Sequence, residues 1–357
     1  MKWKEEMIKP AIDFIKKSKN DTAIILGHDC DSIASSSIIF KIFRKIGKKA
    51  KLIVSKFNFE VDEETVEKCK NFENIIIVDI GDTPEERINS LKNKKNILII
   101  DHHPPKRYNC SYVNPRIFKK NAYIPTSYLS WLIYKKILKD DSEILWIAGF
   151  GTLGDFGAEK NKNLFRRIKK YEKTLVDNLK IKDRILIEKS LLGKITRMID
   201  SCRIFGGIDG VKYIARLISQ SKTYKDVLKD RRINYYFKKL KKEFKKEIKK
   251  IKKHALIIND YLLYELKTKY NLKSSLASFL PKIYKDKIIL IAQKNKEGFF
   301  EISIRRGIER NDNLLKLVKE ICKKISAKGG GHPTAAGMRI DKIEELIEFI
   351  KNKERKQ

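Results

Sequence analysis

No run of about 18 uncharged apolar residues occurs in the sequence, so a membrane-spanning helix is not expected. The first stretch, MKWKEEMIKPAIDFIKKSKND, lacks the apolar centre and small-residue cleavage site of a signal peptide. Its spacing predicts an amphipathic helix with a basic face, and a cytoplasmic location is expected. Cysteine is sparse and scattered, at Cys30, Cys69, Cys110, Cys202 and Cys322. None forms a CxxC pair, which argues against a zinc ribbon or a redox motif. Such a set suits a reducing compartment, with each thiol read as a small, mostly buried hydrophobe. Internal repeats are absent, and the only low-complexity stretch is rich in lysine. Acidic residues are scarce beside basic ones, 45 against 80, a formal charge of +35. A chain this basic needs anionic company, and nucleic acid is the usual partner. Compositional bias toward Lys, Ile and Asn, or heat adaptation, is the competing account.

The chain has 357 residues, 42% of them hydrophobic, enough for two or three domains with real cores. Four apolar runs punctuate the first hundred residues: TAIILG (22–27), AKLIVS (50–55), NIIIVDI (74–80) and NILII (96–100). Helical spacing separates them, as over 31–46 and 62–70. Near-continuous β-branched runs between helices predict a parallel sheet buried on both faces. Helices follow over 126–220, and a long basic helix is expected over 223–253. Its apolar stripe is Ile233, Tyr236, Phe237, Leu240, Phe244, Ile248 and Ile251. A smaller α/β unit with a mixed sheet closes the chain, with strands near 255–258, 262–266, 287–293 and 298–305. Its helices are expected near 272–281, 311–325 and 342–353. The expected fold class is thus α/β, with domains at 1–195, 196–254 (a helical connector) and 255–357.

Ligands of a parallel sheet bind beyond the carboxyl ends of its strands, so the residues there carry weight. The first run leads to His28-Asp29-Cys30-Asp31, the third to Asp79 and Asp82, the fourth to Asp101-His102-His103. Clustered carboxylates need positive charge, which a divalent metal supplies. Asp31 could instead cap the following helix. Asp79 ends an apolar strand, where an unpaired carboxylate is costly. Asp82 reads as a turn residue. Imidazole is a common metal ligand whose tautomer an adjacent carboxylate can fix. Asp155, in GFGTLGDFG, could close the site. The glycines of GGGHPTAAG (329–337) resemble an anion cradle with a turn or helix start behind them. Lys328, His332, Arg305 and Arg306 could add cationic or donor contacts. Four of the five histidines lie in these motifs; His254 reads as a surface or helix-end residue.

In order, HDCD, VDIGD, DHH, GTLGD and GGGHPTAAG resemble the DHH phosphoesterase superfamily, and within it the RecJ-like nucleases with a DHH-associated C-terminal domain. The resemblance implies two divalent ions, manganese before magnesium, held by Asp29, Asp31, Asp79, His102 and Asp155. It implies that Asp79 bridges, that Asp101 orients His102, and that His103 faces the scissile phosphate. It implies that Ser303, Arg305, Lys328, Gly329, Gly330, Gly331 and His332 bind substrate phosphate. Two departures stand out. Ser32 replaces the family's glycine, and His28 directly precedes Asp29, closer than the family's histidine, so its place as a ligand is open. The length leaves no room for the oligonucleotide-binding barrel of larger bacterial RecJ enzymes. The expected activity is an archaeal-type RecJ-like exonuclease on single-stranded DNA, with RNA second, in DNA repair. Alternatives are a nanoRNase or cyclic-dinucleotide phosphodiesterase, and a non-catalytic scaffold that binds replication or repair proteins. Inorganic pyrophosphatase shares the metal logic but not GGGHPTAAG. Polarity and oligomeric state are not legible.

Overall fold

The structure, a computed structural model, describes residues 2–19, 21–58, 60–92, 96–295 and 297–353; the side chains of Lys2, Lys92 and His332 lie outside the described residues. It divides into two units, Met1–Lys238 and Lys239–Gln357.

The first unit begins with α1 (Lys2–Lys17), β1 (Thr22–Leu26), α2 (Cys30–Lys45), β2 (Ala50–Val54), α3 (Glu63–Lys68), β3 (Asn74–Val78), α4 (Glu85–Lys92), β4 (Asn96–Ile100) and β5 (Ser111–Val113). The five strands are all parallel, in the order β2-β1-β3-β4-β5. Every residue of β1 and β3 is buried, as their apolar runs require. Ala23, Ile25, Ile75, Ile77, Ile97 and Ile99 pack with Ile88 and Leu91 of α4 on one face. The register pairs Leu26 with Val54 and Val78, and Val78 with Ile100, so the carboxyl ends are flush. The order reverses between β1 and β3, which marks the crevice for a ligand. Strand β5 went unread because three residues show no period.

Helices then follow: α5 (Pro115–Phe118), α6 (Thr126–Leu138), α7 (Leu145–Gly154), α8 (Lys162–Tyr171), α9 (Asp183–Lys189), α10 (Leu191–Gln220), α11 (Tyr224–Lys229) and α12 (Arg231–His254). Helix α10 kinks at Gly207, whose φ is +55°. The single basic helix expected over 223–253 is two helices. Asp230 leaves helical geometry and accepts the Ile233 N–H at 2.8 Å, starting α12. The forecast stripe holds, with Ile233, Phe237, Leu240 and Ile251 buried. Glu247 shares that stripe, held by Tyr264 and Lys250 at 3.1 and 2.8 Å. His254 ends α12, exposed. No described helix is long and apolar enough to cross a membrane.

The second unit adds β6 (Leu256–Ile258), β7 (Tyr261–Glu265), α13 (Lys273–Phe279), β8 (Ile288–Lys294), β9 (Phe300–Arg306), α14 (Leu314–Lys324), β10 (Ala327–His332), β11 (Ala335–Ile340) and α15 (Ile343–Lys353). Its six strands form a mixed sheet, β10-β11-β9-β8-β7-β6, with only β7 and β8 parallel. Helices α14 and α15 bury Leu317, Val318, Ile321, Leu346 and Ile350 on one face. The glycine run lies in a β-hairpin over residues 327–340, so of the turn or helix start expected behind it the structure has the turn, at Pro333-Thr334. Glycine has low strand propensity, so the pattern concealed both strands. Packing explains Gly329, where an added Cβ would meet Met338, Gly337 and Val318 at 2.6–2.7 Å.

Candidate metal centre

Asp29 follows β1 and caps α2, its Oδ1 accepting the Ser32 N–H at 2.9 Å. The Asn58 amide donates to its other oxygen at 3.3 Å. The capping role weighed for Asp31 therefore belongs to Asp29. Asp31, 3% exposed, instead accepts the N–H groups of Thr126 and Ser127 at 2.7 and 3.0 Å. These are first-turn amides of α6, otherwise without helical partners. Burial still pushes Asp31 up to about 6. A carboxylate offers about four lone-pair sites, so capacity for a cation remains.

Asp79 follows β3 with φ at +60°, a left-handed conformation that Asp tolerates better than most residues. Its Oδ1 accepts the Thr126 hydroxyl at 2.7 Å. Thr126 thus gives its N–H to Asp31 and its hydroxyl to Asp79, tying the ends of β1 and β3 to α6. The Nε2 of His102, after β4, lies 3.6 Å from Asp79 Oδ1 and 3.6 Å from Asp155 Oδ2. Asp155 ends α7, and the Tyr123 hydroxyl lies 2.8 Å from its Oδ2. Burial, then the Asp31 charge, raises both Asp79 and Asp155 well above the carboxylate range. Neighbouring buried carboxylates cannot all ionise alone; a divalent cation reverses that.

Ligand-type atoms of Asp79, His102 and His103 lie within 4.8 Å of one another, as do those of Asp31, His102 and Asp155. Carboxylate oxygens with imidazole nitrogen suit a divalent cation such as manganese or magnesium. Asp29 is in neither set.

Asp101 differs from its forecast role. Its Oδ1 lies 2.8 Å from His103 Nδ1, and its Oδ2 accepts the His103 backbone N–H at 3.0 Å. The carboxylate is directed at His103, because a tight turn returns that amide to it. Burial raises the Asp101 pKa, but the His103 hydrogen bond and charge outweigh it and hold the group low. Burial lowers His103, yet Asp101 wins and raises it to about 9. His28 turns elsewhere, with Nε2 2.6 Å from the Ser55 carbonyl oxygen. Asp82 is exposed and faces Lys106 at 3.7 Å.

Sequence reading missed Asn58, Thr126, Ser127, Tyr123, Asn114 and Gly81. Asn114 donates to the His103 carbonyl at 3.0 Å. At Gly81 a Cβ would lie 2.5 Å from His103 Cβ. Of these, Gly81 alone stands inside a quoted motif, VDIGD; the others carry no motif and meet the site through folding.

In the second unit, one sheet face carries Ser303 and Arg305 on β9. Beside them in register are Gly337 and Ala335, then Gly330 and His332. The Arg305 guanidinium binds the Ser274 and Ser278 hydroxyls at 3.3 and 3.2 Å. Arg306, also expected to add a cationic contact, donates to the Asp312 carbonyl at 2.7 Å. A Cβ at Gly330 would meet nothing within 4 Å, and Lys328 is exposed. Gly329 and Gly331 pair with Met338 and Ala336, on the core side. Of the forecast phosphate ligands, Ser303, Arg305, Lys328 and Gly330 thus share a face that Gly329 and Gly331 do not. The His332 side chain lies outside the described residues.

No curated protein matches this sequence. Among solved structures, RecJ from Thermus thermophilus in complex with Mn2+ superposes with a TM-score of 0.71 at 15% identity, over 99% of this chain and 54% of that one. The chain thus spans about half the length of that RecJ. A DHH domain described as a member of the s1p family of ribosomal proteins gives 0.74 at 18% identity, over 98% and 91%. An exonuclease RecJ bound to manganese gives 0.62 at 14%, over 98% and 92%. These likenesses carry the fold. Residues 22–143 match the N-terminal domain of the DHH family, and residues 260–356 match the DHHA1 domain. The chain belongs to the DHH family of phosphoesterases, a DHH domain followed by a DHHA1 domain on a RecJ-like fold.

Proposed function

We propose that this chain is a metal-dependent phosphodiesterase that hydrolyses single-stranded nucleic acid from an end, DNA first and RNA second. The observation that carries it is the convergence of Asp31, Asp79, Asp155 and His102 with the Asp101–His103 pair at one sheet edge. Asp29, Asp31, Asp79, His102 and Asp155 would hold two divalent ions, manganese before magnesium. Such ions neutralise phosphate charge and lower the pKa of water. Thr126 and Tyr123 orient the carboxylates. His103, gripped at Nδ1 by Asp101, would have Nε2 left to donate to a phosphate oxygen and then to the leaving oxygen.

Charge favours a polymer over a dinucleotide. Lys238, Lys242, Lys245, Lys246 and Lys249 line the exposed side of α12, and phosphates would line up along such a surface. On the DHHA1 domain, Ser303, Arg305, Lys328 and Gly330 would receive a further phosphate.

The test is digestion of end-labelled single-stranded DNA and RNA, from dinucleotides to long oligomers, with manganese and with chelator. Metal-dependent shortening of long strands from one end is expected. Activity confined to the shortest oligomers would favour a nanoRNase or cyclic-dinucleotide phosphodiesterase. Nucleic-acid binding without turnover in any metal would favour a scaffold.

A further inference from the structure

Two exposed phenylalanines border the carboxylate cluster, and the chemistry described so far uses neither. Phe156 directly follows Asp155 and is 42% exposed. Its φ is +52°, a conformation that bulky residues rarely adopt. Phe57 directly precedes Asn58 and is 47% exposed. Asn58 accepts the His28 N–H at 2.5 Å and donates to Asp29 at 3.3 Å, so Phe57 adjoins a residue held against Asp29. Its segment is pinned again where Asp62 accepts the Lys56 N–H at 2.7 Å. An exposed aromatic ring offers a flat face on which a base can stack. Cations accompany the same two loops. Lys56 Nζ lies 5.7 Å from the Phe57 ring centroid, and Lys160 Nζ lies 5.1 Å from that of Tyr123, the residue bound to Asp155.

An aromatic face with a lysine beside it, next to a phosphate-cleaving site, matches one nucleotide unit: base on ring, phosphate on ammonium. We propose that Phe57 and Phe156 stack nucleobases that flank the scissile phosphate. They thereby admit only unstacked bases, whatever their identity. This rests on the nuclease reading and adds how the substrate is selected. A duplex would be refused because its bases already stack on one another.

The experiment uses the full chain with manganese and compares wild type with F57A, F156A, F57W and F156W. Substrates are single-stranded oligonucleotides, intact or with one abasic residue at each of the first positions from the cleaved end. Each alanine variant should lose about tenfold or more in kcat/KM on the intact strand, mainly through KM. The tryptophan variants should restore it. One abasic position should remove the difference between each alanine variant and wild type, because the base it would stack on is gone. An unchanged kcat/KM in both alanine variants overturns the proposal. So does an equal loss on intact and abasic strands, which marks a structural role. A wild type that hydrolyses bis(4-nitrophenyl) phosphate but leaves every oligonucleotide intact overturns the nuclease reading, and stacking with it. A wild type that digests oligonucleotides while both alanine variants match it overturns stacking alone.

Discussion

Asp101 closes a ring on His103, with its Oδ1 2.8 Å from the imidazole Nδ1 and its Oδ2 accepting the backbone N–H at 3.0 Å. Asp101 therefore sets both the position of His103 and its charge. H103A should lower kcat by about 10² to 10⁴. D101N should lower it by about 10- to 100-fold. The double variant should fall no further than H103A, because Asp101 acts through that ring. Steady-state rates on an end-labelled strand check this; fully multiplicative losses would separate the two residues.

Removing one charge from the carboxylate cluster should help the metal-free fold. Asp79 is 3% exposed, and burial with the neighbouring carboxylates disfavours its ionised form. D79N keeps an acceptor for the Thr126 hydroxyl and tolerates positive φ. In chelator, its Tm should equal or exceed that of wild type. Wild type should gain stability with manganese, about 2.7 kcal/mol at a hundred times Kd. D79N should lose most of that gain and all detectable turnover. A large Tm drop for D79N in chelator would assign Asp79 a structural role instead.

At Gly81 the space is taken by His103, 2.5 Å from where a Cβ would sit. G81A should push the imidazole away and cut kcat about tenfold or more, while the fold survives with a loss of about 1–3 kcal/mol. Far-UV circular dichroism with kinetics separates the two effects. Full activity in G81A would mean that the His103 position does not matter.

The glycine hairpin predicts an asymmetry between neighbours. G329A should destabilise by about 1–3 kcal/mol, since its Cβ meets Met338, Gly337 and Val318. G330A should stay within about 0.5 kcal/mol of wild type, because its side of the strand is open. If that face receives phosphate, G330A should weaken oligonucleotide binding, read by fluorescence anisotropy. Denaturant melts give the stability order; equal destabilisation would refute the register.

Asp62 ties down the segment that carries Phe57 and Asn58. Burial raises its pKa, but hydrogen bonds from Thr65, Lys56 and Ser55 outweigh that and hold it at about 2. The folded value lies below the unfolded one, near 3.9. Its stabilisation is therefore complete above about pH 4 and is lost as pH falls toward 2. Thermal melts across that acid range should show a steeper loss in wild type than in D62N. Parallel curves would remove Asp62 from the acid response.

Much of the candidate site's inventory was legible in the linear chain. The runs at 22–27, 74–80 and 96–100 are mostly apolar because both faces of these strands are covered, whereas β2 at the sheet edge leaves Lys51 exposed. Parallel order then sends Asp29, Asp79 and Asp101 to one edge without any knowledge of coordinates. The hairpin at 327–340 was hidden, since its strand character comes from pairing with β9 and not from its own glycines.

The sequence alone determined the sheet, the order of the motifs and the acids and histidines that meet at its edge. Local periodicity and strand direction suffice for these. Tertiary structure alone decided the pairings: Asp101 with His103, Asp31 with the α6 amides, Thr126 with Asp79, His28 with Ser55. Each depends on a backbone direction, or on a partner far along the chain: Asp31 and Thr126 stand 95 residues apart. Residue spacing carries no information about where a hydrogen-bond donor arrives from another helix.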